Sequence, residues 1–187
     1  MKKLLIVCVL FFTACAGDPI IFPNENLDDS GNPLNPDGGG GGGSTSYCQI
    51  SFSDMVDDWI TSVRLNGATR NSSAEGYVNV GGVFANLTRS TTNLVAVDIY
   101  VRSSFTQYCR VWIDFNRDFV FSTSEMIDLG ATPGTSGIHT LSRSFTVPSS
   151  ALPGLTRMRV AERFSLAPDA CGSFTYGEAE DYQINIQ

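Results

Sequence analysis

An all-β fold, an antiparallel β-sandwich of jelly-roll or immunoglobulin-like type forming a single domain over residues 47–187, is predicted by three observations. Seven short segments are rich in β-branched and aromatic residues, turn signals separate them, and no stretch carries a sustained helical apolar period. A parallel sheet would need helical crossovers, which the pattern lacks. In chain order the first segment, 59–65, ends at Asn66-Gly67, and residues 53–58 before it suit one short turn. The second, 76–80, is closed by Gly81-Gly82. In the third, 94–101, Val95, Val97, Ile99 and Val101 share one face while Asp98, Tyr100 and Arg102 share the other, so a single core-facing side is expected. The fourth, 108–114, sets Cys109, Val111, Ile113 and Phe115 in phase against Tyr108, Arg110, Trp112 and Asp114. Pro133-Gly134 precedes the fifth segment, 142–147, Pro153-Gly154 introduces the sixth, 155–163, and the seventh covers 182–186.

The ends bound the location. Residues 1–14 combine Lys2 and Lys3 with an apolar run over 4–12, too short for a permanent membrane span and suited to a secretory signal. Phe12-Thr13-Ala14-Cys15 resembles the lipobox of bacterial lipoproteins, which implies cleavage before Cys15 and a diacylglycerol on its thiol; ordinary cleavage beside Ala14 or Ala16 is the alternative. Residues 15–46 then comprise the lipidated cysteine and a linker of Pro, Gly, Asn, Asp and Ser with an unbroken glycine run from Gly38 to Gly43. So little apolar surface cannot order itself, and the expected flexible tether holds the domain roughly 30 Å from the membrane on average. A cell-envelope protein, lipid-anchored in the outer membrane or at the cell surface, is the expected setting; Ala16 after Cys15 favours the outer membrane in a diderm host.

Both lysines fall in the signal, so the remaining chain sets ten arginines against nineteen acidic residues. Such a chain is not expected to seek nucleic acid or an anionic membrane. Every remaining cation is an arginine fork suited to fixed pairing with carboxylates. After Cys15 three cysteines remain. Cys109 sits on the aliphatic face of its strand, which leaves Cys48 and Cys171, near the two ends of the domain, as the preferred disulfide.

Asp114, Asn116, Asp118 and Glu125 occupy positions one, three, five and twelve of a loop that follows the fourth strand, with the Val120 carbonyl as a fifth donor. That is the spacing of a Ca²⁺ loop, because a hard cation takes six to eight oxygens. Phe119 stands where such loops carry glycine, a position that wants φ > 0. The alternative is an acidic hairpin loop held by Arg117 and neighbouring hydrogen bonds.

Near the C-terminus Glu178, Glu180 and Asp181 crowd three carboxylates into Gly177-Glu178-Ala179-Glu180-Asp181. In an extended segment Glu178 and Glu180 project to one side and Asp181 to the other, and burial against Arg157 or Arg159 is the expected pairing. Together with Tyr47-Cys48, Trp112-Ile113-Asp114-Phe115-Asn116, the turn from Pro148 to Gly154 and Thr156-Arg157-Met158-Arg159-Val160, this motif resembles the GEVED domain of bacterial exported proteins, over nearly all of residues 47–187. The resemblance implies a secreted or surface-attached β-sandwich used as an accessory module, without a defined activity. Ala179 replaces the family's valine.

An enzyme is not expected. His139 is the only histidine and no G-x-S-x-G surrounds a serine, which disfavours a triad and a zinc hydrolase alike. A glycoside hydrolase built on carboxylates such as Asp114, Glu162 and Glu178 is the enzymatic alternative. A membrane-anchored ligand-binding or adhesive module, with aromatics such as Tyr77, Tyr100, Trp112 and Tyr176 available to stack on a glycan or protein ligand, fits better. A structural or assembly component of an envelope complex is the runner-up.

Overall fold

The computed structural model describes residues 46–54 and 56–187. The expected signal (1–14), Cys15 and the linker up to residue 45 lie outside the described residues.

Among the described residues ten strands form two packed sheets. The smaller sheet has the order β3 (Ala68–Asn71), β2 (Asp58–Leu65), β5 (Thr92–Val101), β8 (Gly137–Thr146). The larger runs β1 (Ile50–Asp54), β10 (Gly172–Ile186), β9 (Gly154–Phe164), β6 (Gln107–Ile113), β7 (Met126–Ala131), with β4 (Tyr77–Leu87) also paired to β10. The pairing is mostly antiparallel, as expected, but β1 and β4 both run parallel to β10. No helix is needed for this crossover, because β2 and β3, lying in the opposite sheet, carry the chain between the two strands.

The alternation read from the sequence sets the interior. Val95, Val97, Ile99 and Val101 of β5 meet Cys109, Val111 and Ile113 of β6, Met158 and Val160 of β9, and Tyr182, Ile184 and Ile186 of β10 in one buried cluster. Each such side chain contributes about 1.5–3 kcal/mol when withdrawn from water. A bulge between Ile60 and Ser62 lets β2 keep Ile60, Val63 and Leu65 in that interior.

Several expectations are corrected. Gly81-Gly82 is not a turn: it lies within β4, where the partner of β10 jumps from Val80 at Tyr182 to Val83 at Gln183, and Gly82 takes φ 76°. Glycine here serves a bulge that keeps one long strand in register. Residues 53–58 do not form a lone turn, since Ser53 and Asp54 belong to β1. β3 is a short polar strand, β1 and β7 carry only two alternating apolar residues each, Ile50 and Phe52 and then Ile127 and Leu129, and β10 begins ten residues before the expected 182.

The larger sheet is covered on both faces over its centre. On its outer side Trp112, Ala161 and Ala179 pack beneath Tyr47, Ile50, Phe119, Phe121 and Ala170 in a second cluster. The expected Cys48–Cys171 disulfide, with Cα atoms 5.6 Å apart, ties the two segments that make this cover, and Cys109 remains free and buried. β9 is consequently shielded on both faces along most of its length.

Candidate functional site

The loop after β6 places its acidic residues as expected and uses them differently. Asp114 is fully buried. Its Oδ2 accepts from Tyr47 Oη at 2.7 Å and from the Phe119 N–H at 3.1 Å, and its Oδ1 from the Asp118 N–H at 3.2 Å. Burial pushes this carboxyl up to about 6, with the Tyr47 and Phe119 donors pulling the other way. Glu125, on the 3₁₀ turn Thr123–Glu125, accepts the N–H groups of Phe115 and Asn116 on one oxygen and both the N–H and hydroxyl of Ser122 on the other. Asn116 donates to Asp118 at 2.7 Å, and Asp118 takes the N–H of Val120 at 2.8 Å. Arg117 donates to the Pro153 carbonyl, as the hairpin reading expected.

Phe119 does adopt the left-handed conformation that glycine usually supplies, with φ 64°. Its ring is buried against Tyr47, with centroids 5.2 Å apart. Burying a phenylalanine contributes about 1.5–3 kcal/mol, enough to offset the roughly 1–2 kcal/mol that a left-handed residue costs. The carboxylates of Asp114 and Glu125 are thus committed to N–H and O–H donors of the protein. Among the described residues no set of three or more His, Cys, Asp or Glu is arranged to hold a metal ion. In this arrangement the loop is a hydrogen-bonded clasp on the outer cluster, and it does not fit a cation.

The acidic motif splits across the sheet as its alternation requires. Asp181 faces the outer cluster, where Arg159 grips it in a two-pronged pair, Nε to Oδ1 and Nη2 to Oδ2, both at 2.7 Å. Arg157 and the Tyr77 hydroxyl add to the same carboxylate. The remaining Arg159 nitrogen donates to the carbonyls of Cys48 and Ala170, so one guanidinium binds β10 to both sides of the disulfide. Glu180 faces inward and accepts from Arg70 of β3 and from the Tyr182 hydroxyl. Glu178 departs from the arginine pairing expected of it. Its oxygens instead take the N–H groups of Ile60 of β2 at 2.7 Å and of Glu75 and Gly76, between β3 and β4, at 2.6 and 3.1 Å. Burial pushes Glu178 up to about 7 against those donors.

The carboxylates named for a hydrolytic alternative do not flank a cleft. Asp114, Glu162 and Glu178 are all fully buried, Asp114 under the outer cluster and the other two between the sheets.

The accessible surface chemistry lies elsewhere, on the outer face of the smaller sheet. Register sets Trp59 of β2 beside Tyr100 of β5, and Tyr100 beside Ile138 of β8, one row across three strands. The Trp59 and Tyr100 rings lie 4.3 Å apart, and Ile138 is exposed. The next row is polar. Asp98 receives both Nη atoms of Arg64, at 2.5 and 2.8 Å, and the Thr140 hydroxyl at 2.6 Å, and these donors hold its carboxyl below the usual range. Beyond it a shallow groove of about 430 Å³ is bordered by Arg64, Asn66, Asn93, Leu94 and Ala96. Of the aromatics picked out from sequence, Tyr100 is on this face, Trp112 is buried, Tyr77 is held by Asp181, and Tyr176 joins Phe164 and Phe105 near the other sheet. Trp59 was missed, although its in-phase position opposite Ile60 carried the signal.

Residues 108–185, which contain most of β6, all of β7, β8 and β9, and all but the last residue of β10, match the GEVED domain family. β1 to β5 lie before the matched residues. No curated protein matches the chain in sequence. Among solved structures it is similar to the alkylpurine DNA glycosylase AlkC of Pseudomonas fluorescens bound to DNA containing an abasic site analog, with 9% identity, 69% of this chain and 30% of that one covered, and a TM-score of 0.41. It is also similar to the CARDB domain of the PF1109 protein of Pyrococcus furiosus in complex with di-metal ions (11% identity, 76% and 100% covered, TM-score 0.35). A third is the sporulation control protein Spo0M of Bacillus subtilis (8% identity, 71% and 50% covered, TM-score 0.38). No function is transferred from these likenesses.

Proposed function

We propose, with the GEVED domain at residues 108–185 as premise, that this chain is a membrane-anchored extracytoplasmic module that binds a glycan through the outer face of its smaller sheet. The observation that carries the reading is the contrast between the two sheets. The larger is covered on both sides over its centre, whereas the smaller turns the Trp59–Tyr100–Ile138 row, the Arg64–Asp98–Thr140 network and a groove to solvent. Aromatic rings offer flat apolar faces to the C–H side of a sugar, and an arginine–carboxylate pair held in place offers donors and acceptors to its hydroxyls. A disulfide agrees with an oxidising, extracytoplasmic setting. An acidic chain with no lysine beyond its first residues gives no reason to expect nucleic acid as a partner.

Glycan-array binding of the full chain tests this. Trp59→Ala with Tyr100→Ala is expected to weaken binding by roughly tenfold or more, as losing two stacking rings would, while thermal stability stays within a few degrees of wild type. Binding to envelope proteins alone, with no saturable glycan, would favour the structural or assembly role. The anchor has its own test. Palmitate labelling is expected for the wild type and lost in Cys15→Ser, because a hydroxyl cannot carry the thioether lipid; label persisting in Cys15→Ser would refute the anchor.

A further inference from the structure

A second acidic group stands at one end of the sandwich interior, apart from the loop and from the proposed binding face. Asp58 opens β2 in the smaller sheet, while Gln107 opens β6 and Glu162 lies in β9 of the larger. Register puts Glu162 opposite Cys109, two residues after Gln107 on the same face, and opposite Glu178 on its other side. Gln107 Nε2 donates to Asp58 Oδ2 at 2.6 Å and so bridges the two sheets. Around that bridge Asp58 Oδ1, Gln107 Oε1 and both oxygens of Glu162 are buried with no donor.

The side chains that could have helped are already committed. Glu178 is filled by three backbone N–H groups, and Arg70, the arginine that reaches inward, pairs with Glu180 and Glu75. Glu162 is fully buried and feels the negative charge of both Asp58 and Glu178. A dehydrated carboxylate without counter-charge or hydrogen bonds is too costly to keep. The orphaned atoms are all oxygen acceptors. One proton satisfies two of them at most, whereas a small hard cation, which takes only oxygen ligands, satisfies all.

We propose that Asp58, Gln107 and Glu162 form a buried hard-cation site, for calcium, that ties the two sheets together at this end of the sandwich. Two carboxylates supply the charge and the amide carbonyl a neutral ligand; with only two acidic members, the group lies outside any set of three acidic, histidine or cysteine ligands. Asp58, 7% exposed, is the side from which an ion enters.

Melting of the full chain in calcium and in chelator tests the site, with Glu162→Gln and Asp58→Asn as site variants and Asp118→Ala as a control in the acidic loop. Calcium is expected to raise the Tm of wild type and of Asp118→Ala by several degrees and to leave both site variants unmoved, with magnesium a poor substitute. Terbium(III) bound at one equivalent should luminesce through Trp59, the residue next to Asp58, and lose that signal in Glu162→Gln. A shift that survives Glu162→Gln and disappears in Asp118→Ala would move the ion to the acidic loop and overturn the proposal. Equal melting in calcium and chelator, with Glu162→Gln more stable than wild type, would overturn it too and mean that Glu162 is buried as the neutral acid.

Discussion

Asp181→Ala is expected to destabilise the domain by about 3–5 kcal/mol, the usual cost of removing one partner from a buried ion pair. The cost comes from what remains behind. Arg159 is 1% exposed, and without Asp181 its Nε and Nη2 lose their acceptors while its charge stays buried beside Arg157. In a domain of this size the loss corresponds to a fall in Tm on the order of 10–15 °C. Calorimetry checks it, and a double variant sharpens it: Asp181→Leu with Arg159→Met removes both charges and should cost less than either single change. A fall within about 1 kcal/mol for Asp181→Ala would mean that the pair adds nothing beyond a surface bridge.

Gly177→Ala is expected to be at least as damaging, through the backbone and not through charge. Gly177 has φ 138°, and a Cβ there would lie 2.3 Å from the Glu162 carbonyl oxygen and 2.6 Å from the Phe52 ring. The first clash is with backbone, which cannot rotate away, and the second pushes β1 off its place against β10. Strain of about 1–3 kcal/mol from the dihedral adds to about 1–3 kcal/mol or more from overpacking, so the Tm should fall by roughly 15 °C. Urea unfolding with a tryptophan probe measures it. A variant as stable as wild type would mean that the β9–β10 contact is loose at this point.

How far the sequence could be read depended on which force set each feature. Alternation placed β5 and β6 correctly, because one face of each is aliphatic and burial decides its direction. The same rule put Glu178 and Glu180 on one side and Asp181 on the other, and Asp181 found both arginines named for it. β3 was illegible because pairing with β2, and not its own apolar content, makes it a strand, while the two alternating apolar residues of β1 and of β7 are too short a run to stand out. The oxygen spacing at Asp114, Asn116, Asp118 and Glu125 was read correctly, but spacing does not tell whether N–H groups or an ion will occupy those oxygens. The Glu162 group was out of reach for a different reason. Its members are separated by some fifty residues each, and only the packing of one sheet on the other brings them together.

The parallel pairing of β1 and β4 with β10 has a consequence for the order of folding. β10 is made after the other nine described strands, yet β1, β4 and β9 all pair with it, and Cys48 must wait for Cys171. The larger sheet therefore cannot assemble progressively from the N-terminus. Contacts this distant along the chain make for slow closure of the larger sheet, whereas the smaller sheet needs no strand beyond β8. The disulfide and the β1, β4 and β9 pairings can therefore lock the larger sheet only once β10 is available.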